Sequence, residues 1–299
     1  MASREATARL REVGNELRRI REAANMTEQD LADRIGCSVS KVSRVETGLR
    51  GIGEVMAAVY LTHCNASRED MERILSLVRE TDGEYRLQAH GQLLPEQLRS
   101  LMVHEGTARS ITSYEPIVLP GLLQIEDYIR ELFRWGKQVP EKEIENFIEV
   151  RCARQTLLNR RRPLKFTFYI HEHALRSVVG SAELMYRQVV HVLSVANRAH
   201  CDIRVIPASA GPFGAFGGAF RIMRYAQYEP VVYIHTPSAS VFLDEPEHVA
   251  ANQKIVGRLA EVALSAEESR EWLAELASEY YRAEVGGDDP PGDEGPHVA

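Results

Sequence analysis

Between Thr27 and Gly48 the chain has little freedom to choose a fold. Ala32 is followed four positions later by Gly36, and the next segment carries Val42 and Val45 three residues apart. A small side chain lets two helices cross closely, and a glycine takes the left-handed conformation that a tight reversal needs. Thr27 with Asp30 three residues on has the pattern of a capping box, Ser38 can cap the following helix, and Gly48 stops it. Leu31, Ala32 and Ile35 then form the buried side of one helix, and Val42 and Val45 that of the next. The spacing predicts a helix-turn-helix whose second helix turns Val39, Ser40, Lys41, Ser43 and Arg44 outward. In the major groove a valine can touch a thymine methyl, a serine can bond a base edge or phosphate, and an arginine can pair bidentately with guanine.

Charge restricts how such a helix would hold DNA. The 299 residues carry a formal net charge of -7, and Met1 to Asp82 hold thirteen lysines and arginines against fourteen acids. Attraction to nucleic acid or an anionic membrane by bulk charge is excluded, so contact must rest on a few placed cations, including Lys41, Arg44 and Arg50. With 44% hydrophobic and 26% charged residues the chain is neither disordered nor fibrous, and its length predicts about two domains. Cys37, Cys64, Cys152 and Cys201 form no CxxC pair, which fits a reducing cytosol. The charged start lacks the apolar core of a signal peptide, and no stretch reaches the length of a membrane span. The expectation is a soluble protein of the cytoplasm, nucleoid-associated through DNA, without cofactor or metal.

The N-terminal segment reads as all-α, about five helices over 1–82. Val13, Leu17, Ile20 and Ala24 give the first its stripe, and further helices follow near Glu54 to Thr62 and Ser67 to Asp82. A polar linker over 83–95 precedes a mixed α/β domain over 96–283 with a sheet of about four to five strands. Its helices are expected near Glu96 to Ser113, Ile125 to Trp135, Glu141 to Asn159, Ala182 to Asn197, Pro246 to Leu264 and Ala266 to Ala283. Phe166, Phe168 and Ile170 alternate with polar residues as a strand, and Ile203 to Ile206, Ala219 to Met223, Val231 to His235 and Val241 to Leu243 are the others. Residues 284–299 read as a disordered acidic tail.

TEQDLADRIGCSVSKVSRVETG resembles the lambda-repressor-like (XRE) family of bacterial regulators, whose pattern runs approximately T-Q-x-x-L-A-x-x-x-G-x-S-x-x-x-[IV]-S-x-[IVL]-E-x-G. The resemblance implies that Ser38, Val39, Ser40, Lys41, Ser43 and Arg44 face DNA, and that Glu46 pairs with Arg21 of the first helix. Glu28 stands where the family often has a phosphate-contacting glutamine, so neighbouring Gln29 takes its place among the candidates. Residues Gln92 to Leu276, through HEGTARSITSYEPIVLPGLLQIEDYIR and RCARQTLLNRRRPLKFTFYIHEHALR, resemble the C-terminal domain of actinomycete (Streptomyces-type) developmental and antitoxin-like regulators. Ile125 replaces the threonine that often follows LPGLLQ in that domain.

Catalytic chemistry finds little to stand on in the second domain. His171 and His173 supply two ligands without a third, and the glycine loop GPFGAFGG over Gly211 to Gly218 lacks the ending of a phosphate loop. The basic run Arg151, Arg154, Arg160, Arg161, Arg162 and Lys165 reads as a solvated helix end. The expected function is a sequence-specific transcriptional regulator, not an enzyme, that binds a palindromic operator as a homodimer and controls development, secondary metabolism or its own operon. The different-class alternative is an antitoxin-like module that binds a small partner protein. A partner or small-molecule effector would use Leu122, Leu123, Phe213 and Phe216 as apolar anchors.

Overall fold

The computed structural model describes residues 8–79, 86–89, 94–137, 139–160, 163–213, 217–236 and 239–285. Much of the expected linker, Arg161, Arg162, Phe216, the side chain of Phe213 and the tail from 286 lie outside what is described. The chain divides into two compact units, Met1–Ile111 with Phe220–Ile255, and Thr112–Ala219 with Val256–Ala299. The units therefore do not follow chain order, and the divisions fall inside a strand and inside a helix. An all-α segment followed by a mixed α/β region is the architecture that the sequence indicates.

In the first unit, α1 (Ala8–Ala23), α2 (Glu28–Ile35), α3 (Val39–Glu46), α4 (Glu54–His63) and α5 (Arg68–Arg79) enclose one core. Val13, Leu17 and Ile20 of α1 meet Leu31, Ala32, Val42, Val45, Ala57, Leu61 and Ile74 there. Each fully buried aliphatic side chain of this kind contributes about 1.5–3 kcal/mol. Helices α1 and α3 approach so closely that a Cβ at Gly14 would stand 2.6 Å from the Glu46 carbonyl oxygen. Strand β1 (Arg86–Ala89) pairs antiparallel with β7 (Ala239–Leu243), β7 with β6 (Val231–His235), and β6 with β5 (Phe220–Arg224). Helix α6 (Leu94–Thr107) completes the unit with the first part of α11 (Pro246–Val262).

The second unit holds most of β2 (Ser110–Glu115), followed by α7 (Glu126–Gly136), α8 (Ile144–Gln155), β3 (Lys165–His171) and α9 (Glu172–Arg176). After these come α10 (Ala182–Ala196), β4 (Cys201–Ile206) and α12 (Ala266–Val285). Strands β3 and β4 are parallel, with Phe166 opposite Cys201 and Thr167 opposite Asp202. Helix α12 is tied down where Ser269 Oγ accepts the Val205 N–H at 2.9 Å and Tyr280 OH donates to the Leu175 carbonyl at 3.0 Å.

The five expected strands are present, and two more were not expected. Residues 110–113 stood at the end of an expected helix, yet they belong to β2, whose residues from Ile111 to Glu115 are all buried. A strand buried on both faces loses the alternation that would announce it. Strand β1 fell inside the expected linker, because four residues are too few to display a period. The long helix expected over Glu141 to Asn159 is interrupted, with 3-10 turns at Glu141–Glu143 and Thr156–Asn159 on either side of α8. No described helix is long and apolar enough to cross a membrane.

Candidate nucleic-acid interface

Local chemistry sets the geometry of α2 and α3. Thr27 Oγ1 accepts the Asp30 N–H at 3.1 Å while Asp30 Oδ2 accepts the Thr27 N–H at 2.9 Å, so the capping box is closed in both directions. Those bonds to Thr27 hold the Asp30 carboxyl below the usual carboxylate range. Gly36 sits at φ 68°, ψ 42° and its N–H returns to the Ala32 carbonyl, ending α2. Ser38 Oγ accepts the Lys41 N–H at 3.3 Å and starts α3 two residues after the turn.

Burial of Val42, Val45 and Glu46 fixes the outward face of α3. Ser40 and Arg44 stand at its exposed centre, with exposed Ser38 at the start and Arg50 beyond the end. Lys41 and Ser43 flank this face, half-buried. Val39 is half-buried as well and packs on the core, so only part of it faces outward. Gln29 is exposed at the start of α2, and its amide donates to Asp33 at 2.8 Å.

Ion pairing decides where charge remains available. Arg18 pairs with Glu22, Arg19 with Glu16 and Asp70, Arg68 with Glu72, Arg73 with Glu16 and Asp70, and Arg79 with Glu54. Arg34, Lys41, Arg44 and Arg50 have no such carboxylate partner among the described residues. They surround the turn and α3. Arg34 was not among the sequence candidates, since nothing in its neighbours distinguishes it from a solvated arginine.

Beneath this face lies a buried triad. Arg21 donates to Glu46 twice, from Nε to Oε1 at 2.6 Å and from Nη2 to Oε2 at 2.7 Å, and Tyr60 OH donates to the same Oε1 at 2.6 Å. The Arg21 and Glu46 side chains are 7% and 1% exposed. A third guanidinium bond, Nη1 to the Met26 carbonyl at 2.6 Å, ties α1 to the segment before α2. Bonding to Glu46 raises the Arg21 pKa, and burial raises that of Tyr60. The far end of α3 is held from the β5–β6 turn, where Tyr228 OH donates to the Thr47 carbonyl at 2.9 Å. The guanidinium of Arg11 lies over the rings of Tyr225 and Tyr228, at 4.1 and 5.0 Å from their centroids. Neither tyrosine carries a local signal that sequence reasoning could have used.

The anchors expected in the second unit are placed differently. Leu122 and Leu123 are 1% and 0% exposed and belong to the core, where a docking partner would not reach them. Their segment is braced by glutamines. Gln124 donates to the Leu119 carbonyl at 2.7 Å, Gln155 to the Gln124 carbonyl at 2.6 Å, and Gln188 to the Leu123 carbonyl at 2.7 Å. A buried loop must find partners for its backbone groups, and these side chains supply them. Arg151 joins the brace through Gln124 Oε1 at 3.1 Å, and buried Arg154 packs beside Gly121, so part of the basic run is structural and not a solvated helix end. Phe213 closes a 3-10 turn, Ala208–Phe213. His171 and His173 form a cap in place of a ligand pair: His171 Nδ1 accepts the His173 N–H at 3.1 Å at the start of α9.

Two family models match the chain. A helix-turn-helix domain covers residues 12–74, which contain α2, α3 and the triad, and makes the N-terminal segment a DNA-binding domain of the kind found in regulators. No curated protein matches the chain. A domain of unknown function, DUF5753, covers residues 98–275, more than half of the chain, and the protein therefore belongs to the DUF5753 family.

Proposed function

We propose that the protein is a sequence-specific transcriptional regulator of the lambda-repressor-like kind, which places α3 in the major groove and binds a palindromic operator as a homodimer. The observation that carries this reading is the coincidence of the exposed face of α3 with the unpaired cations Arg34, Lys41, Arg44 and Arg50. One helix of eight residues reads few base pairs, and two-fold pairing across a palindrome doubles them. Arg44 and Ser40 read base edges, while Ser38, Lys41, Arg34 and Arg50 hold phosphates. The DUF5753 region serves regulation by binding and carries out no turnover. By its resemblance, the protein governs development, secondary metabolism or its own operon.

The test is selection of duplex sites from a random pool, followed by binding measurements on the selected site at stated salt. Arg44→Ala should weaken binding by about 1–3 kcal/mol, roughly 5- to 150-fold, and relax the preference at one base pair per half-site. Equal binding by the wild type and Arg44→Ala would show that α3 does not read the site. A selected site without two-fold symmetry would overturn the homodimer.

A further inference from the structure

Away from α2 and α3, the second unit contains a cleft of about 770 Å³ at the N-terminal ends of β3 and β4, closed on one side by the start of α12. That volume falls within the range of small-molecule sites, roughly 300–1,000 Å³. Its charge is uneven. Lys165 of β3, Arg198 before β4 and Arg270 of α12 all line it. Arg198 bonds only neutral oxygens, the Asn159 Oδ1 at 2.8 Å and the Leu158 carbonyl at 3.3 Å. Lys165 and Arg270 pair with no acid among the described residues. Four other arginines of the same unit, Arg130, Arg134, Arg176 and Arg187, each engage two acids, while Arg204 and Arg282, outside the cleft, bond backbone carbonyls.

The cleft also holds a carboxylate with an unmet need. Asp202, opposite Thr167 in the β3/β4 register, lines it, and its Oδ1 is buried and accepts no hydrogen bond. A buried acceptor without a donor is costly and rare, and since Asp202 as a whole is only half-buried its carboxylate borders the cleft through the oxygen that stays accessible. Three cations that lack an anion and one carboxylate that lacks a donor define the complementary molecule.

We propose that this cleft binds a phosphorylated small molecule of nucleotide size, its phosphate against Lys165, Arg198 and Arg270 and an N–H donor of its other end on Asp202. Arginine forks and a lysine ammonium suit the oxygens of a phosphate, and the carboxylate oxygen of Asp202 that stays accessible can accept an N–H such as that of guanine. The inference uses no residue of the DNA-facing helices and stands or falls apart from the reading of α3.

Calorimetric titration of the full chain at low ionic strength with guanosine monophosphate, ribose 5-phosphate and inorganic phosphate tests it. Guanosine monophosphate should bind saturably and at least tenfold tighter than inorganic phosphate. Arg270→Gln and Lys165→Gln should each weaken all three probes about tenfold, and Arg270→Lys should recover part of the loss. Asp202→Asn should weaken guanosine monophosphate about tenfold while leaving inorganic phosphate within twofold. Unchanged thermal midpoints of the free variants show that they fold. Absence of saturable binding by all three probes overturns the proposal, and so does binding by Arg270→Gln or Asp202→Asn that matches the wild type for guanosine monophosphate.

Discussion

Replacing Glu46 by glutamine tests the triad under α3 most directly, because the change keeps the shape and removes the charge. In the wild type the two carboxylate oxygens accept three bonds, two from Arg21 and one from Tyr60, all at 2.6–2.7 Å. A glutamine amide offers one acceptor, and its NH2 group must face an Arg21 or Tyr60 donor. The guanidinium, 7% exposed, loses its buried partner and keeps only the half-exposed Glu22 carboxylate at 3.9 Å. Breaking a buried pair in this way costs about 3–5 kcal/mol, against about 0–1 kcal/mol for an exposed one. With a shift of about 2–4 °C per kcal/mol for a domain of this size, the thermal midpoint should fall by roughly 6–20 °C.

The assay is thermal unfolding followed by circular dichroism, at low and at high salt. A buried pair is screened little, so the loss should be nearly the same in both. Tyr60→Phe removes one bond to a charged group and should cost less, about 1.5–3 kcal/mol. The double variant Arg21→Met, Glu46→Leu strands no charge and should melt closer to the wild type than Glu46→Gln does. A Glu46→Gln protein that melts within 2 °C of the wild type would refute the reasoning, since it would mean that water or Glu22 satisfies Arg21 without the buried carboxylate.

Gly14→Ala places a Cβ 2.6 Å from the Glu46 carbonyl, so α1 and α3 must separate; we expect a loss of about 1–3 kcal/mol in unfolding and weaker operator binding, read by melting and by a gel-shift titration. Lys41→Ala should weaken binding alike on all sequences and reduce the slope of log K against log salt by about 1 per half-site, whereas a sequence-dependent loss would make Lys41 a base reader. In the second unit, burial lowers the pKa of His191, so the unfolded chain binds its proton more readily than the folded one. Stability from this group is complete above the ordinary histidine pKa of about 6.5 and declines as pH falls below it, and His191→Gln should flatten that decline in denaturant titrations across pH 5–8.

What the sequence displays is local, and what it conceals is tertiary. The Thr27–Asp30 box, the Gly36 turn and the Val42/Val45 face each depend on residues a few positions apart, and periodicity and capping expose them. Arg21 and Glu46 are 25 positions apart and were legible only through a family pattern. Gly14 carries no local signal of its role, because the carbonyls it must avoid belong to Val45 and Glu46 of α3. Leu122 and Leu123 were expected as apolar anchors, yet they are buried. In fact Gln155 and Gln188, 31 and 65 positions beyond their acceptors, satisfy that segment's backbone and let it be buried. Strand β2 was hidden for a related reason, since burial of both its faces erased the alternation.

Net charge misjudges this DNA-binding segment because charges act after they have paired. Thirteen cations against fourteen acids suggest a surface with no attraction for phosphate. Yet several of the acids are consumed: Glu16 and Asp70 share Arg19 and Arg73, Glu22 takes Arg18, Glu46 takes Arg21, Glu72 takes Arg68 and Glu54 takes Arg79. Asp30 and Asp33 bond only the neutral Thr27 and Gln29 and so keep their negative charge, Asp30 within the field of Arg34. A paired arginine and its acid cancel beyond a Debye length, about 8 Å at physiological salt, so the field at α3 is set by the groups near it that remain unpaired. Arg34, Lys41, Arg44 and Arg50 lie within seventeen consecutive residues that span the turn and α3. Glu28, half-buried at the start of α2, works against them together with Asp30 and Asp33. Any attraction is therefore confined to one face, which favours a bound orientation over binding strength, and under the proposed reading base contacts by Arg44 and Ser40 would supply the rest of the affinity.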